Sequence, residues 1–440
     1  MSDMFDLVIG LGITGESCVR YLRAQQSVPV RVLDTRSNPP GLATLTAEAP
    51  EVPVHVGGWQ AKWLEQARRL IVSPGVALAT PAIAQQVAAG KDVIGDVELF
   101  ARAVTAPVAA ITGSNAKSTV TALLGEMAVA AGRTAEVGGN FGVPALELLQ
   151  RRADLYVLEL SSFQLETTYS LGAQVAAFLN VSQDHLDRYR SLADYIAAKQ
   201  RIFDGCEVAV WNRDDDTTRP HGAVAHQITF GTHPKADYRW DQHTGCLYRR
   251  EQKLLPAERL AMKGHHNVLN VLAALAMAEA LDLPLYSSLE AAVAFCGLAH
   301  RCELIAEDAG VLWINDSKGT NVGATLAALE GIGSSIEGSI ILIAGGQGKG
   351  QDFSHLKAAL ATYVSHTYVL GEDQAALAAL LPAHKVTAVA TLEEAVQKAH
   401  GLAKAGDAVL LSPACASLDM FDSYQHRGQV FTQAVQEVLS

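Results

Sequence analysis

At roughly 150 residues per domain, a chain of 440 residues has the length of about three domains. With 49% hydrophobic and 18% charged residues it is globular in composition, which excludes general disorder and the collagen-like and low-complexity classes. Its net charge of −12, from 46 acidic against 34 basic residues, argues against a sequence-independent nucleic-acid binder. Anionic small substrates stay open, provided cations are concentrated where they bind.

The start, Met1 to Asp6, is acidic and has neither the basic nor the apolar segment of a secretory signal. No apolar run approaches the ~20 residues that span a bilayer. Six scattered cysteines (Cys18, Cys206, Cys246, Cys296, Cys302, Cys415) form no C-x-x-C pair, so neither a disulfide framework nor a thiolate zinc site is expected. The expectation is a cytoplasmic, monomeric protein with no nucleic-acid or membrane partner.

In chain order, Phe5–Ile9 reads as a strand, Gly10-Leu11-Gly12-Ile13-Thr14-Gly15 as a turn, and the following residues through Arg23 as a helix. Val28–Leu33 and Leu70–Val72 read as further strands, the latter ending at Ser73-Pro74-Gly75. The pattern restarts near 90–107. Val108–Thr112 is a predicted strand, Gly113 to Thr119 a loop, and Val120–Ala131 a helix. Strands are predicted at Leu155–Leu160, Val175–Asn180 and Glu207–Trp211, short strands and turns over 225–255 with a hairpin turn at Thr244-Gly245, and a helix over His265–Leu281. After a third restart near 300, strands are predicted at Val311–Ile314, Ser339–Ala344, Thr367–Leu370, Val386–Val389 and Ala408–Leu411. Strands alternating with helical stretches predict an α/β protein of three domains with parallel sheets, divided at 1–94, 95–299 and 300–440. The first and third are expected to be Rossmann-like, and the second a P-loop-type ATPase domain.

Two glycine loops carry phosphate chemistry. Gly10-x-Gly12-x-x-Gly15 follows a strand and opens a helix, and Asp34 lies 19 residues beyond Gly15 at the end of the next strand. That is the dinucleotide fingerprint, with a diphosphate at a helix N-terminus and an acid on a ribose. A UDP group presents the same diphosphate and ribose, and a tight turn that needs glycine only for packing would read the same way. The second loop, Gly113-Ser114-Asn115-Ala116-Lys117-Ser118-Thr119, has the residues of a phosphate cradle. Backbone N–H groups hold phosphate oxygens, Lys117 reaches the β/γ-phosphates, and Ser118 coordinates Mg²⁺. The loop is shorter than G-x-x-x-x-G-K-[ST], and Ala116 stands where glycine is usual. Alanine fits there only with negative φ or with offset strain.

The combination resembles the Mur ligases, the amide-forming ligases of peptidoglycan precursor synthesis, and their folylpolyglutamate synthase relatives. The resemblance extends through Leu158–Gln164, Asn180–Asp187, Tyr195–Lys199, His266-Asn267 with Asn270, and His300-Arg301. Within the family, Asp316-Ser317-Lys318-Gly319-Thr320-Asn321 resembles the signature of the D-glutamate-adding members, as do Gly345–Gly350 and Ser412–Asp419. Gln347 stands where that pattern has Asp.

What the resemblance implies is an ATP-dependent ligase joining D-glutamate to UDP-N-acetylmuramoyl-L-alanine through an acyl phosphate. Lys117, Glu159, His185 and Lys199 would be the catalytic set. Two Mg²⁺ ions would lie at Ser118, Glu159, His185 and Lys199, with Lys199 carbamylated by CO₂. ATP would lie against Gly113–Thr119, Asn267, Asn270, Arg301 and Asp316. The UDP-sugar would meet Ile13, Thr14, Gly15, Asp34, Thr35, Arg36, Ser73, Gly75 and Asn140, and D-glutamate would meet Lys318, Thr320, Lys349, Ser417, Leu418 and Tyr424. On the residues alone, Lys199 reads as an exposed side chain on an amphipathic helix, His185 as a hydrogen-bonded structural histidine, and Asn267 and Asn270 as N-capping residues that share a helix face at i, i+3. A nicotinamide oxidoreductase would leave Lys117, Ser118 and residues 316–321 without a role. A non-catalytic nucleotide switch would bind ATP without amino-acid-dependent phosphate release.

Overall fold

The computed structural model describes residues 4–182, 184, 188–262 and 264–440. It forms two compact units. One comprises the chain through Asn180 with Ala193–Leu254 and Val271–Ala292, and the other comprises Val181–Leu192, Leu255–Asn270 and Val293–Ser440.

The first unit holds two sheets. The five-stranded sheet runs Val54–Val56, Val30–Asp34, Asp6–Ile9, Arg69–Val72, Asp92–Ile94, all parallel. Its first strand is central, so the chain reverses direction across the sheet between Asp6–Ile9 and Arg69–Val72. The crevice at such a switch point is where open α/β sheets bind ligands. The loops after these two strands, Gly10–Gly12 and Ser73–Gly75, meet there, and the Ser73 hydroxyl donates to the Gly10 carbonyl at 2.9 Å. Phe5, Leu7, Ile9, Leu33, Leu70 and Val72, each nearly excluded from solvent, form the core on one face.

The second sheet has nine strands, and Val108–Thr112 lies between Val175–Phe178 and Leu155–Glu159. Here too the chain crosses from one side to the other, which places residues 113–119 at a switch point. The helix Lys117–Ala130 begins at Lys117, three residues before the sequence expectation, because the last residues of the second glycine loop themselves form its first turn. Tyr238–Asp241 and Cys246–Arg249 form the expected hairpin, with Gly245 in the left-handed region at φ +68°.

The second unit's sheet runs Glu303–Asp308, Val311–Asn315, Ala408–Leu411, Ile340–Gly345, Val364–Leu370, Val386–Ala388. Ile340, Leu342 and Ala344 bury on one face, with helices Val322–Gly333 and Lys357–Tyr363. Ile341 and Ile343 bury on the other, with Leu392–Leu402 and Tyr424–Leu439. The period of two, apolar on both faces, is what a parallel strand covered on both sides requires.

The sequence reading missed Val54–Val56, Asp92–Ile94, Ala135–Gly139 and Glu303–Asp308. All four lie at sheet edges, where a strand need not present a continuous apolar run. The N-capping reading of Asn267 and Asn270 is corrected. The helix begins at His265, so both residues lie inside its first two turns, and the Gly264 carbonyl accepts from the Asn267 and Val268 N–H groups. No helix among the described residues is long and apolar enough to cross a membrane.

Candidate active site

At the first switch point the glycines have distinct causes. Gly10 has φ +92°, and a Cβ on Gly15 would lie 2.0 Å from the Gly10 carbonyl oxygen, so the loop closes only without side chains there. The buried Asp34 accepts from the Leu11 N–H at 2.7 Å and from the Arg36 guanidinium at 3.0 and 2.6 Å. Burial pushes its carboxyl up, but the bonds from Arg36 and Leu11 outweigh it, and it titrates below its ordinary value. Asp34 thus ties the glycine loop to Arg36. Ile13, the first residue of the helix that follows the loop, is 73% exposed, and Thr35, Arg36 and Gly75 are exposed too. The expected nucleotide-sugar residues of the first sheet are therefore gathered at one edge.

The second loop folds as a cradle. Ala116 has φ +66°, in the left-handed region, so alanine occupies a backbone state that favours glycine. Ala116→Gly is expected to raise stability by about 1 kcal/mol in urea unfolding; a loss of stability would mean the loop does not hold this conformation. Lys117 Nζ lies over the loop, donating to the Gly113 and Ser114 carbonyls at 2.8 and 2.9 Å. The Asn180 side chain clamps the loop from the neighbouring strand end, accepting from Asn115 N at 2.9 Å and donating to Asn115 O at 3.2 Å.

Ser118, Glu159 and Asn140 meet at this edge. The Ser118 hydroxyl donates to Glu159 Oε2, and Asn140 Nδ2 donates to Oε1 at 2.9 Å. Gly139 lets them approach, since a Cβ there would lie 2.4 Å from the Glu159 carbonyl oxygen. A hydroxyl, a carboxylate and an amide are hard oxygen donors that suit Mg²⁺. Among the described residues, no group of three or more His, Cys, Asp or Glu side chains is arranged to hold a metal. His185 lies outside the described residues.

Lys199 corrects the surface reading. It is 1% exposed and among the largest fully buried side chains. Its Nζ donates to the Gly113 carbonyl at 2.8 Å and lies 4.6 Å from the centre of the Tyr195 ring, one helical turn earlier. Tyr195 in turn hydrogen-bonds Ser114 at 3.2 Å. Lys199 is thus built into the phosphate loop from behind.

In the second unit, residues 316–320, 346–350 and 412–418 leave three adjacent parallel strands at the same edge. Gln347 and Ala416 exchange backbone hydrogen bonds at 3.0 and 2.9 Å, which zips two of these loops together. Gly346 is needed for that, because its Cβ would lie 2.1 Å from the Ala416 carbonyl oxygen. The contact at 347 is main-chain, so glutamine in place of aspartate leaves it intact. Lys349 has φ +54° between glycines, Lys318 Nζ lies 4.1 Å from the Tyr424 ring centre, Ser417 is buried, and Leu418 is 69% exposed.

Asp316 accepts from Cys302 N at 3.2 Å and from the Ser412 hydroxyl at 2.7 Å. Burial lifts its carboxyl to about 6, against the opposing pull of that Ser412 bond and of the nearby Arg301 charge. Asn267 and Asn270 join side chain to side chain at 3.1 Å.

The sequence reading missed Asn180, Tyr195 and Arg427 as site-builders. Arg427 is 2% exposed and donates to the Ser317 carbonyl at 2.7 Å, the Ser317 hydroxyl at 3.0 Å and the Cys415 carbonyl at 3.2 Å. Burial lowers its guanidinium to about 10. It fastens the 316–318 loop to the 415–417 loop, with the Ser317 hydroxyl donating onward to the Tyr424 carbonyl at 2.8 Å. The spacing of Arg427 from Phe431 and Val435 marks it as lying on the buried face of its helix but not its partners, and the position of Tyr195 four residues before Lys199 is the corresponding signal for that contact.

A cradle of backbone N–H groups with a lysine over it, an acidic strand end beside it and three α/β sheets are the features of a nucleotide-phosphate-binding protein, and comparison with known proteins narrows the class. Three family profiles match in order: "Mur ligase MurD-like, N-terminal domain" over residues 5–95, "Mur ligase middle domain" over 111–278, and "Mur ligase, glutamate ligase domain" over 300–415. The chain belongs to the Mur ligase family. Among curated relatives, the UDP-N-acetylmuramoylalanine–D-glutamate ligase of Alcanivorax borkumensis is 59% identical, and that of Pseudomonas aeruginosa 51% identical, each match covering 99% of both chains. Among solved structures, UDP-N-acetylmuramate-alanine ligase MurC of Thermotoga maritima matches with a TM-score of 0.62 at 19% identity, covering 99% of this chain and 100% of that one. MurF of the same organism, solved with ADP, matches with a TM-score of 0.62 at 15% identity, covering 99% and 96%. These last two likenesses concern the fold.

Proposed function

We propose that this chain joins D-glutamate to UDP-N-acetylmuramoyl-L-alanine at the expense of ATP, in cytoplasmic peptidoglycan precursor synthesis. The observation that carries the reading is its end-to-end similarity to curated D-glutamate ligases. The division of labour follows the chain: 1–94 for the UDP-sugar, 95–299 for ATP and 300–440 for D-glutamate, working as a monomer.

A carboxylate lacks a leaving group, so it does not acylate an amine at neutral pH. In the proposed reaction an oxygen of the L-alanine carboxylate attacks the γ-phosphorus of ATP, and the bond to the β-bridging oxygen breaks, leaving ADP and an acyl phosphate. The D-glutamate amine then attacks the acyl carbon, loses a proton, and the tetrahedral intermediate collapses to the amide and inorganic phosphate. Lys117 and the loop N–H groups offset the crowding of anions at the first step. Ser118, Glu159, His185 and a carbamylated Lys199 would hold Mg²⁺, and bound Mg²⁺ supplies charge neutralisation to the phosphates. Carbamylation turns the amine of Lys199 into a carboxylate, the donor type a hard cation prefers. Asn267, Asn270, Arg301 and Asp316 would complete the ATP contacts. Ile13, Thr14, Gly15, Asp34, Thr35, Arg36, Ser73, Gly75 and Asn140 would hold the UDP-sugar.

D-glutamate brings two carboxylates, and the edge formed by the three loops offers Lys318, Lys349, Thr320 and Ser417, with Leu418 and Tyr424 beside them. Lys349→Ala is expected to raise the KM for D-glutamate about ten- to hundredfold, the worth of one charge-assisted hydrogen bond. An effect confined to the KM for ATP would assign that lysine elsewhere. The reading as a whole is tested by phosphate release from ATP with UDP-N-acetylmuramoyl-L-alanine and a panel of amino acids in parallel. Release should depend on D-glutamate, and release equal with every amino acid or with none would overturn it.

A further inference from the structure

Asp96 is a buried carboxyl for which the reaction above has no use. It opens the helix Asp96–Ala101, directly after the last strand of the first sheet, and is 2% exposed. Its Oδ2 accepts from Gln164 Nε2 at 3.2 Å, and no side chain among the described residues donates to its Oδ1. Burial raises its pKa to about 6, against the opposing pull of that Gln164 bond and of the Val97 and Asp96 N–H groups at the start of the helix. Its neighbour on the same helix is a useful contrast. Glu98, equally buried, accepts from Tyr169 N at 2.7 Å, Ser170 N at 2.9 Å, the Ser170 hydroxyl at 2.8 Å and Arg102 Nε at 2.9 Å. For Glu98 these bonds outweigh burial and its carboxyl titrates below its ordinary value; for Asp96 burial wins. A buried carboxyl that is only partly compensated costs stability relative to one as fully hydrogen-bonded as Glu98. Its retention needs another reason.

The reason lies in what Gln164 does. Its Oε1 accepts from Ser161 N at 3.1 Å and from the Ser161 hydroxyl at 3.2 Å, while its own N–H donates back to that hydroxyl at 3.2 Å. This reciprocal cap shapes the turn that begins two residues after Glu159. An amide caps this way only if its oxygen faces Ser161 and its NH₂ faces away, and Asp96 is the acceptor that selects that orientation. The approach is close throughout. Gly95 N donates to the Thr167 carbonyl at 3.1 Å, and a Cβ on Gly95 would lie 2.3 Å from the Thr167 hydroxyl.

We propose that Asp96 is a positioning residue that, through the Gln164 amide, holds the Ser161 turn and with it the end of the strand carrying Glu159. It thereby joins the end of the first sheet to the phosphate-binding edge of the second. Its consequence for turnover rests on the function proposed above; its consequence for the turn does not.

The test uses the full chain with Asp96→Leu, Asp96→Asn and Gln164→Met. Amide hydrogen exchange is followed over residues 155–166 without substrates, beside kcat and KM for ATP and D-glutamate. Asp96→Leu and Gln164→Met should each speed exchange about fivefold over 161–165 and lower kcat by a similar factor, as expected for one lost hydrogen bond, with the KM for D-glutamate unchanged. Asp96→Asn keeps an acceptor and should match the parent in both. The double variant should be no worse than the worse single one, because both cut the same link. Unchanged exchange in Asp96→Leu, or Asp96→Asn failing as badly as Asp96→Leu, would overturn the proposal. If Asp96→Leu does not fold, unchanged exchange in Gln164→Met has the same force. Absence of ligation in the parent protein would instead refute the proposed function and leave the exchange result standing.

Discussion

Lys117→Ala is expected to lower D-glutamate-dependent phosphate release by roughly 10²–10³, the scale seen when one preorganised charge-stabilising donor is removed. Its ammonium rests on the Gly113 and Ser114 carbonyls, which hold it over the loop. The loss should fall on the first chemical step. Trapping with hydroxylamine, which intercepts acyl phosphates, should give little product, while nucleotide binding through the loop N–H groups persists in weakened form. Lys117→Arg should not rescue, because a planar fork does not fit between two carbonyls placed for a point charge. Normal trapping in Lys117→Ala would take that lysine out of the phosphate site.

The second large effect is expected at Lys199. Lys199→Ala would both open a cavity and remove the anionic group a carbamate supplies, so the two must be separated. Lys199→Met keeps most of the volume and should unfold near the parent's denaturant midpoint, yet lose roughly 10²–10³ in turnover. Lys199→Ala leaves room behind the loop, and formate or acetate should restore part of its activity. Parent protein stripped of CO₂ should lose activity and regain it with bicarbonate. Full activity without CO₂ would end the carbamate role and leave Lys199 as the buried ammonium that the Gly113 carbonyl receives.

Much of the candidate site is legible in the chain because its parts are local. The turn Gly10–Gly15 needs glycine to let Gly15 sit against the Gly10 carbonyl, and the loop 113–119 needs its residues within one helical turn. Such constraints act over a few residues and leave spacing behind. The resemblance to a family then supplied what spacing could not, including the interest of Lys199, whose local pattern pointed to the surface. Asp34 shows the limit of pattern reading. Its place at a strand end was foreseen, but not that Arg36 and the Leu11 N–H would already hold both of its oxygens.

The groups that were not legible act across the chain. Arg427 reaches Ser317 over 110 residues, and Asp96 reaches Gln164 over 68. Arg427 lies on the buried stripe of its helix with Phe431 and Val435, but a charged residue read alone is assigned to solvent. Composition, strand–helix alternation and two glycine loops sufficed for an α/β chain of three sheets that handles phosphates, since backbone geometry and apolar periodicity are properties of short segments. Which charges are buried, which loops are bolted together, and how a chain with an acid excess gathers its cations at the phosphate loop and at the edge bearing Lys318 and Lys349 were decided only by strand order. Inserting Ala408–Leu411 between Val311–Asn315 and Ile340–Gly345 brings loops nearly 100 residues apart to one edge, and no local rule encodes that neighbourhood.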